Sequence, residues 1–260
     1  MQKITHMPTA AAAVALAAGL ALAGCGSSGS SSSDSSPSGS ATRTATSSAS
    51  SVTTTAATGA SVPFPVAVGN TWNYNITTAG ESGTTVNKMT AVTPVAGGQQ
   101  VTMAGTSHLA GVSTSTREIY VFHSDGSISV PLGQMSPGSE VTVTTSSGVV
   151  YPSASVLDSG KPSQSQLKLS IKALGQTVSA TAHVTVQYEG TAAVTVPAGT
   201  YQATVVLATE RTSVVGVTTT IQARTWFAPG VGPVKTQVVT DEGSGSTIAA
   251  TEELVSFTKG

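Results

Sequence analysis

The chain has 260 residues, a formal net charge of −1, 9% charged and 4% aromatic side chains, and one cysteine. No basic face marks a nucleic-acid partner, no acidic block marks cation buffering, and a lone thiol excludes an intramolecular disulfide. Valine, threonine, alanine, serine and glycine dominate, which favours strands, because β-branched side chains are stiff in helices and pack well on a pleated surface.

Residues 1–24 read as a secretory signal peptide. Lys3 and His6 stand near the start, followed by an apolar run from Ala10 to Ala23 interrupted by Gly19. The run is shorter than the roughly 20 residues that cross a bilayer, and no Lys or Arg follows closely as a stop signal. At its end, Leu22-Ala23-Gly24-Cys25 resembles the lipobox of bacterial lipoproteins. The resemblance implies cleavage after Gly24 and a diacylglyceryl thioether on Cys25, often with a further acyl chain on the new amine. Two or more chains give stable anchoring, at about 0.8 kcal/mol per buried CH₂. Gly26 stands where an aspartate retains some lipoproteins on the inner membrane. The expected location is extracytoplasmic, on the cell membrane or on the outer membrane where a cell has two.

Residues 25–61 are the lipidated cysteine and a linker built of Ser, Thr, Ala and Gly, with Asp34 and Arg43 its only charges. Such a segment buries too little apolar surface to offset its ordering entropy, so a disordered tether is expected. A flexible-chain estimate gives it a reach of roughly 30–36 Å. Ser30 to Ser33 and Thr53 to Thr55 are also sites where O-linked sugars would extend it.

Residues 62–260 form the candidate globular part, expected as a single all-β domain with a large antiparallel sheet that is curved, or an open barrel or sandwich. Val62-Pro63-Phe64-Pro65 marks its start, since prolines favour extended chain. Trp72, Tyr74 and Ile76 alternate with polar residues, as do Val101 and Met103, Leu167, Leu169 and Ile171, and Ala182, Val184, Val186 and Tyr188. One-sided burial of this kind belongs to antiparallel sheets. Ile119, Tyr120, Val121 and Phe122 are consecutive, which predicts a central strand covered on both faces.

Asp125-Gly126 predicts a hairpin turn. Val196-Pro197-Ala198-Gly199 predicts another, pairing Thr191–Val196 with Tyr201–Glu210. Ala228-Pro229-Gly230-Val231 predicts a third, joining Ile221–Phe227 to Val234–Thr240. A closing strand is expected at Glu253–Phe257 and a short helical piece at Ser153–Asp158.

Three landmarks resemble those of a widespread group of uncharacterised secreted or lipoprotein β-domains. They are Val68-Gly69-Asn70-Thr71-Trp72-Asn73-Tyr74, Val196-Pro197-Ala198-Gly199-Thr200-Tyr201 and Trp226-Phe227-Ala228-Pro229-Gly230-Val231-Gly232-Pro233-Val234-Lys235. Pro233 stands where the group has a larger apolar residue. The resemblance covers most of Val62 to Phe257, implies an antiparallel β-rich fold and supplies no activity.

Chemical motifs are sparse. There is no G-x-S-x-G, H-E-x-x-H, Walker or calcium-loop pattern in the domain. His108, His123 and His183 fall on separate predicted strands, where scattered surface histidines outnumber zinc sites. Glu210 and Arg211 point to opposite faces. Asp241-Glu242 and Glu252-Glu253 flank a glycine-serine loop and read as solvated turn charges. Trp72, Trp226 and Phe227 are expected to anchor the core rather than form a sugar or lipid platform.

No catalytic, metal or cofactor residue is assigned. Cys25 is the site of lipidation and Gly24 the cleavage position. The expected function is that of a lipid-anchored cell-envelope protein with a non-catalytic binding or structural β domain. Its membrane partner is reached through Cys25, and a hydrophobic ligand or an envelope protein is the further partner class. Carriage of a lipid and an envelope hydrolase are the alternatives.

Overall fold

The computed structural model describes residues 64–78, 80–129, 133–134, 141–147, 151–173, 176–214, 217–241 and 246–260. The leader, Gly24, Cys25, the tether, Val62, Pro63 and Glu242 lie outside the described residues.

Strands Thr71–Thr78 (β1), Glu81–Val95 (β2), Gly98–Leu109 (β3), Val112–His123 (β4) and Ile128–Ser129 (β5) follow one another as a meander. A second series starts with Gly133–Gln134 (β6) and Val141–Ser147 (β7), passes helix Ala154–Asp158 (α1), and continues through Ser163–Ala173 (β8) and Gln176–Val196 (β9). It ends with Gly199–Val214 (β10), Val217–Ala228 (β11), Gly232–Asp241 (β12) and Ser246–Thr258 (β13). The last strand returns to the first, Thr71 opposite Thr258. The spatial order is therefore β5-β4-β3-β2-β1-β13-β12-β11-β10-β9-β8-β7-β6, one antiparallel sheet.

This sheet curls into a half-barrel. Register shifts at Asn73/Tyr74, Met89/Ala91, Val205/Val206, Trp226/Phe227 and Val238/Val239 are the local cause, since a bulge bends its strand and raises the twist. The curl brings distant strands into contact. Ala198, at the β9–β10 tip, donates its N–H to the Leu254 carbonyl of β13 at 2.9 Å. Ile128 of β5 and Tyr151, which follows β7, form an isolated antiparallel bridge. Tyr151 and Leu157 of α1 thus fill the concave side, both within a single core cluster that runs from Trp72 to Leu254.

The proline turns form where expected: Val196 pairs Gly199, Thr191 pairs Thr204 and Ile221 pairs Thr240. Gly199 and Gly230 take φ of +134° and +72°, values that L side chains rarely adopt. The Asp125-Gly126 hairpin closes through His123 N–H to the Ser127 carbonyl at 2.8 Å. The helical piece is present as α1, preceded by Ser153 as N-cap. The expectation of a central strand over Arg117–His123 is corrected. Among the described strands only two-residue β5 lies beyond β4, and Ile119 and Val121 are half-buried. Four consecutive apolar residues here reflect one face turned to the core, carrying buried Tyr120 with Phe122 against it, rather than cover on both sides.

Candidate functional site

The pleat of β4 sends alternate residues Thr116, Glu118, Tyr120 and Phe122 to the concave side, where they line a cleft. Asn87 of β2 and Met103 and Gly105 of β3 form its floor, and Phe64, Ile128, Tyr151 and Phe227 close its sides. The cleft is small, about 30 Å³, and partly open at its mouth. Gly105 lets the side chains of Thr116 and Asn87 close in on the floor, because a Cβ there would lie 2.5 Å from Thr116 Oγ1 and 3.0 Å from Asn87 Oδ1. The aromatic walls are mutually braced. Phe64 meets Phe122 at a centroid distance of 5.4 Å and Trp72 at 5.2 Å, and Tyr151 meets Phe227 edge-on at 5.5 Å.

Glu118 is the carboxylate of this apolar site. It remains half-exposed at the wall, yet the surrounding protein raises its pKa by desolvation, an effect partly offset by the Tyr120 hydroxyl donating to Oε2 at 2.6 Å. Burial first, then the negative charge of Glu118, raises Tyr120 well above the ordinary tyrosine range. Tyr151 is raised by burial, with a hydrogen bond to Thr225 pulling the other way.

A second acid feels the charge of Glu118. Glu252 on β13 is 4% exposed, and its carboxyl is raised well above the usual range by burial and then by the charge of Glu118. Two acids from β4 and β13 therefore face one interior. The ion pairs of the described residues lie elsewhere: Arg224 with Glu189 at 2.5 Å and Lys235 with Glu253 at 2.7 Å. Reading Glu252 as a solvated turn charge is thus corrected, and only its neighbour Glu253 is half-exposed and paired. β13 begins at Ser246, earlier than expected, so the pleat of a longer strand turns Glu252 inward beside Leu254. Glu210 on β10 is a third interior acid, pushed up to about 7 by burial, with the Thr212 hydroxyl 2.6 Å from Oε1 opposing the shift.

The histidines do not join this site. His108 Nδ1 meets Ser113 Oγ at 2.7 Å, His123 Nε2 meets Ser129 Oγ at 2.8 Å, and exposed His183 faces Gln166 at 3.4 Å. Among the described residues no group of three or more His, Cys, Asp or Glu converges at metal-binding range. Trp72 and Phe227 are fully buried and anchor the core, whereas Trp226 is half-buried, with Lys235 Nζ 5.9 Å from its ring centroid. Glu118 was legible in principle: it shares a period-two face with Tyr120 and Phe122. The run of four apolar residues masked that alternation. Nothing local announces Glu252 as its partner.

The sequence landmarks turn out to be structural. Trp72 Nε1 donates to the Val231 carbonyl at 2.6 Å and Tyr74 Oη to the Pro233 carbonyl at 2.9 Å, both across β13. A Cβ on Gly232, at φ +93°, would sit 3.6 Å from Trp72 Nε1. Asn70 Nδ2 bonds the Pro65 carbonyl at 2.9 Å, and its Oδ1 receives the Gly260 N–H at 3.0 Å. These residues lock the first, last and intervening strands together, and none of them lines the cleft.

Similar folds occur in two crystal structures. A protein from Bacteroides fragilis NCTC 9343, described as exported and of YmcC-like fold, aligns with 76% of this chain and 100% of its own, with a TM-score of 0.53 and 18% identity. A lipoprotein-like protein from Parabacteroides distasonis ATCC 8503 aligns with 75% of this chain and 97% of its own, with a TM-score of 0.51 and 16% identity. No match is found among curated proteins. The DUF3108-like profile matches residues 67–245, nearly the whole sheet including the three locked landmarks, and the chain belongs to that family.

Proposed function

We propose that this chain is an exported envelope protein, held to a membrane by the lipid on Cys25, whose half-barrel is a non-catalytic binding module with the Glu118 cleft as its binding site. The observation that carries the reading is the aromatic-walled cleft lined by Phe64, Tyr120, Phe122, Tyr151 and Phe227. A sheet whose interior is largely packed, with Trp72 and Leu157 fully buried, keeps one apolar, aromatic-walled recess beside Glu118. Concave apolar recesses with a few polar groups are the usual form of small-molecule sites. The leader, the lipobox and the descriptions of the two related structures as exported or lipoprotein support the location. Because the concave interior is so largely filled and the cleft is small and partly open, it suits the edge of a ring or a short apolar group better than a whole acyl chain, which favours recognition over lipid carriage.

Two measurements test this. Cys25→Ser is expected to release the protein from membranes, or stall its processing, while leaving the domain folded. Normal cleavage with full membrane retention of that variant, by fractionation, would refute the anchor. Titration of the full chain with 2-phenylethanol, followed by NMR, is expected to shift resonances of Phe122, Gly105 and Tyr151. Shifts confined to other regions, or none at millimolar ligand, would refute the cleft.

A further inference from the structure

We infer that the cleft is built for an organic ammonium, a positively charged amine carried on an aromatic or short apolar group. The inference rests on the cleft being a binding site and adds the chemistry of its ligand.

Two features point to a cation. The first is the wall itself: the rings of Phe64, Tyr120, Phe122 and Tyr151 surround a recess whose one carboxylate is Glu118. Aromatic faces carry negative quadrupoles and attract ammonium groups, more strongly where water is excluded. The second is an uncompensated pair of acids. Glu118 raises the pKa of buried Glu252 by direct charge repulsion, and neither takes part in the ion pairs of the described residues, which lie at Glu189 and Glu253. Two carboxyls that repel each other in a desolvated interior resist joint ionisation, a cost that a positive charge relieves. An ammonium at Glu118 supplies that charge and favours the ionised form. The groups facing the pair are Tyr120 on β4, Tyr74 on β1, beside Glu252, and Tyr151. None is cationic, so nothing in the wall competes with the ligand. A neutral alcohol of the same shape would gain only the apolar contacts, and a carboxylate would be repelled.

The test compares 2-phenylethylamine, 2-phenylethanol and 3-phenylpropionate on the full chain by NMR titration at pH 8 and pH 5. The amine is expected to bind about tenfold or more tighter than the alcohol at pH 8, a gap of ~1.4 kcal/mol, with the acid weakest. The gap is expected to shrink as pH falls through the raised titration range of Glu118. Glu118→Gln is expected to abolish the gap, and Glu210→Gln, away from the cleft, to preserve it. Equal amine and alcohol affinities in the wild type, or a gap that survives Glu118→Gln or does not change with pH, would overturn the inference while leaving the cleft reading intact. If the alcohol also fails to bind, the cleft reading itself falls. The wild-type pH comparison needs no variant to fold.

Discussion

Ile128 and Tyr151 exchange two backbone hydrogen bonds, Ile128 N–H to the Tyr151 carbonyl at 2.8 Å and Tyr151 N–H to the Ile128 carbonyl at 3.1 Å. β5, which carries Ile128, and β7, which precedes Tyr151, stand near opposite ends of the sheet order, so this pair closes one side of the half-barrel and forms a wall of the cleft. Replacing Ile128 by proline removes one donor and restricts φ. Ile128→Pro is therefore expected to lower the melting temperature by several degrees and to speed hydrogen exchange at Tyr151. Unchanged exchange at Tyr151 would show that the bridge contributes nothing to closure.

Interior acids make stability depend on pH. Glu210 shifts from an ordinary 4.5 to about 7 in the folded state. Below about pH 4.5 both states hold the proton. Between 4.5 and 7 the unfolded chain ionises first, so stability falls, and above about 7 the loss is complete at about 3 kcal/mol. Glu118 and Glu252 shift in the same direction and reinforce it. The protein is expected to melt at higher temperature at pH 5 than at pH 8, and Glu210→Gln to stabilise it at pH 8 with little effect at pH 5. A flat pH profile of the melting temperature would contradict this burial.

Trp72 joins the first strand to the β11–β12 turn through its 2.6 Å bond to Val231 and stacks on Phe257 at 5.1 Å. Trp72→Phe keeps a ring but deletes the donor and leaves space, and is expected to cost roughly 1–3 kcal/mol. Denaturant unfolding would measure it, and a loss below a few tenths of a kcal/mol would rule out Trp72 as a keystone.

Gly199 closes the Val196-Pro197-Ala198 turn at φ +134° with open space around its Cα, so strain rather than collision opposes substitution. Gly199→Val is expected to destabilise the domain by about 1–3 kcal/mol. An unchanged melting temperature would mean that the turn relaxes freely.

The strand pattern and turns were legible because each is written locally. The alternation of Ala182, Val184 and Val186 gives buried positions directly, and each Pro-Gly or Pro-Ala-Gly segment sets its hairpin register over a few residues. The cleft was not legible, because its parts come from β2, β3, β4, β5, β11 and the segments around Phe64 and Tyr151. Only the curl of the sheet assembles them. Glu252 shows the same limit: beside a glycine-serine loop it looks like a surface charge, and the residue that perturbs it, Glu118, lies more than a hundred positions away.

The pairing of β1 with β13 also sets the order of events in folding. The strand made first sits mid-sheet, between β2 and β13, and its Trp72 and Tyr74 bond to carbonyls near residue 232. The meander from β1 to β5 can zip up early, but its inner boundary waits for the last strand. Contacts of such sequence separation slow folding. The chain completes its core only once Ser246–Thr258 has arrived, and until then the long edge of β1 stays open to pairing with other chains.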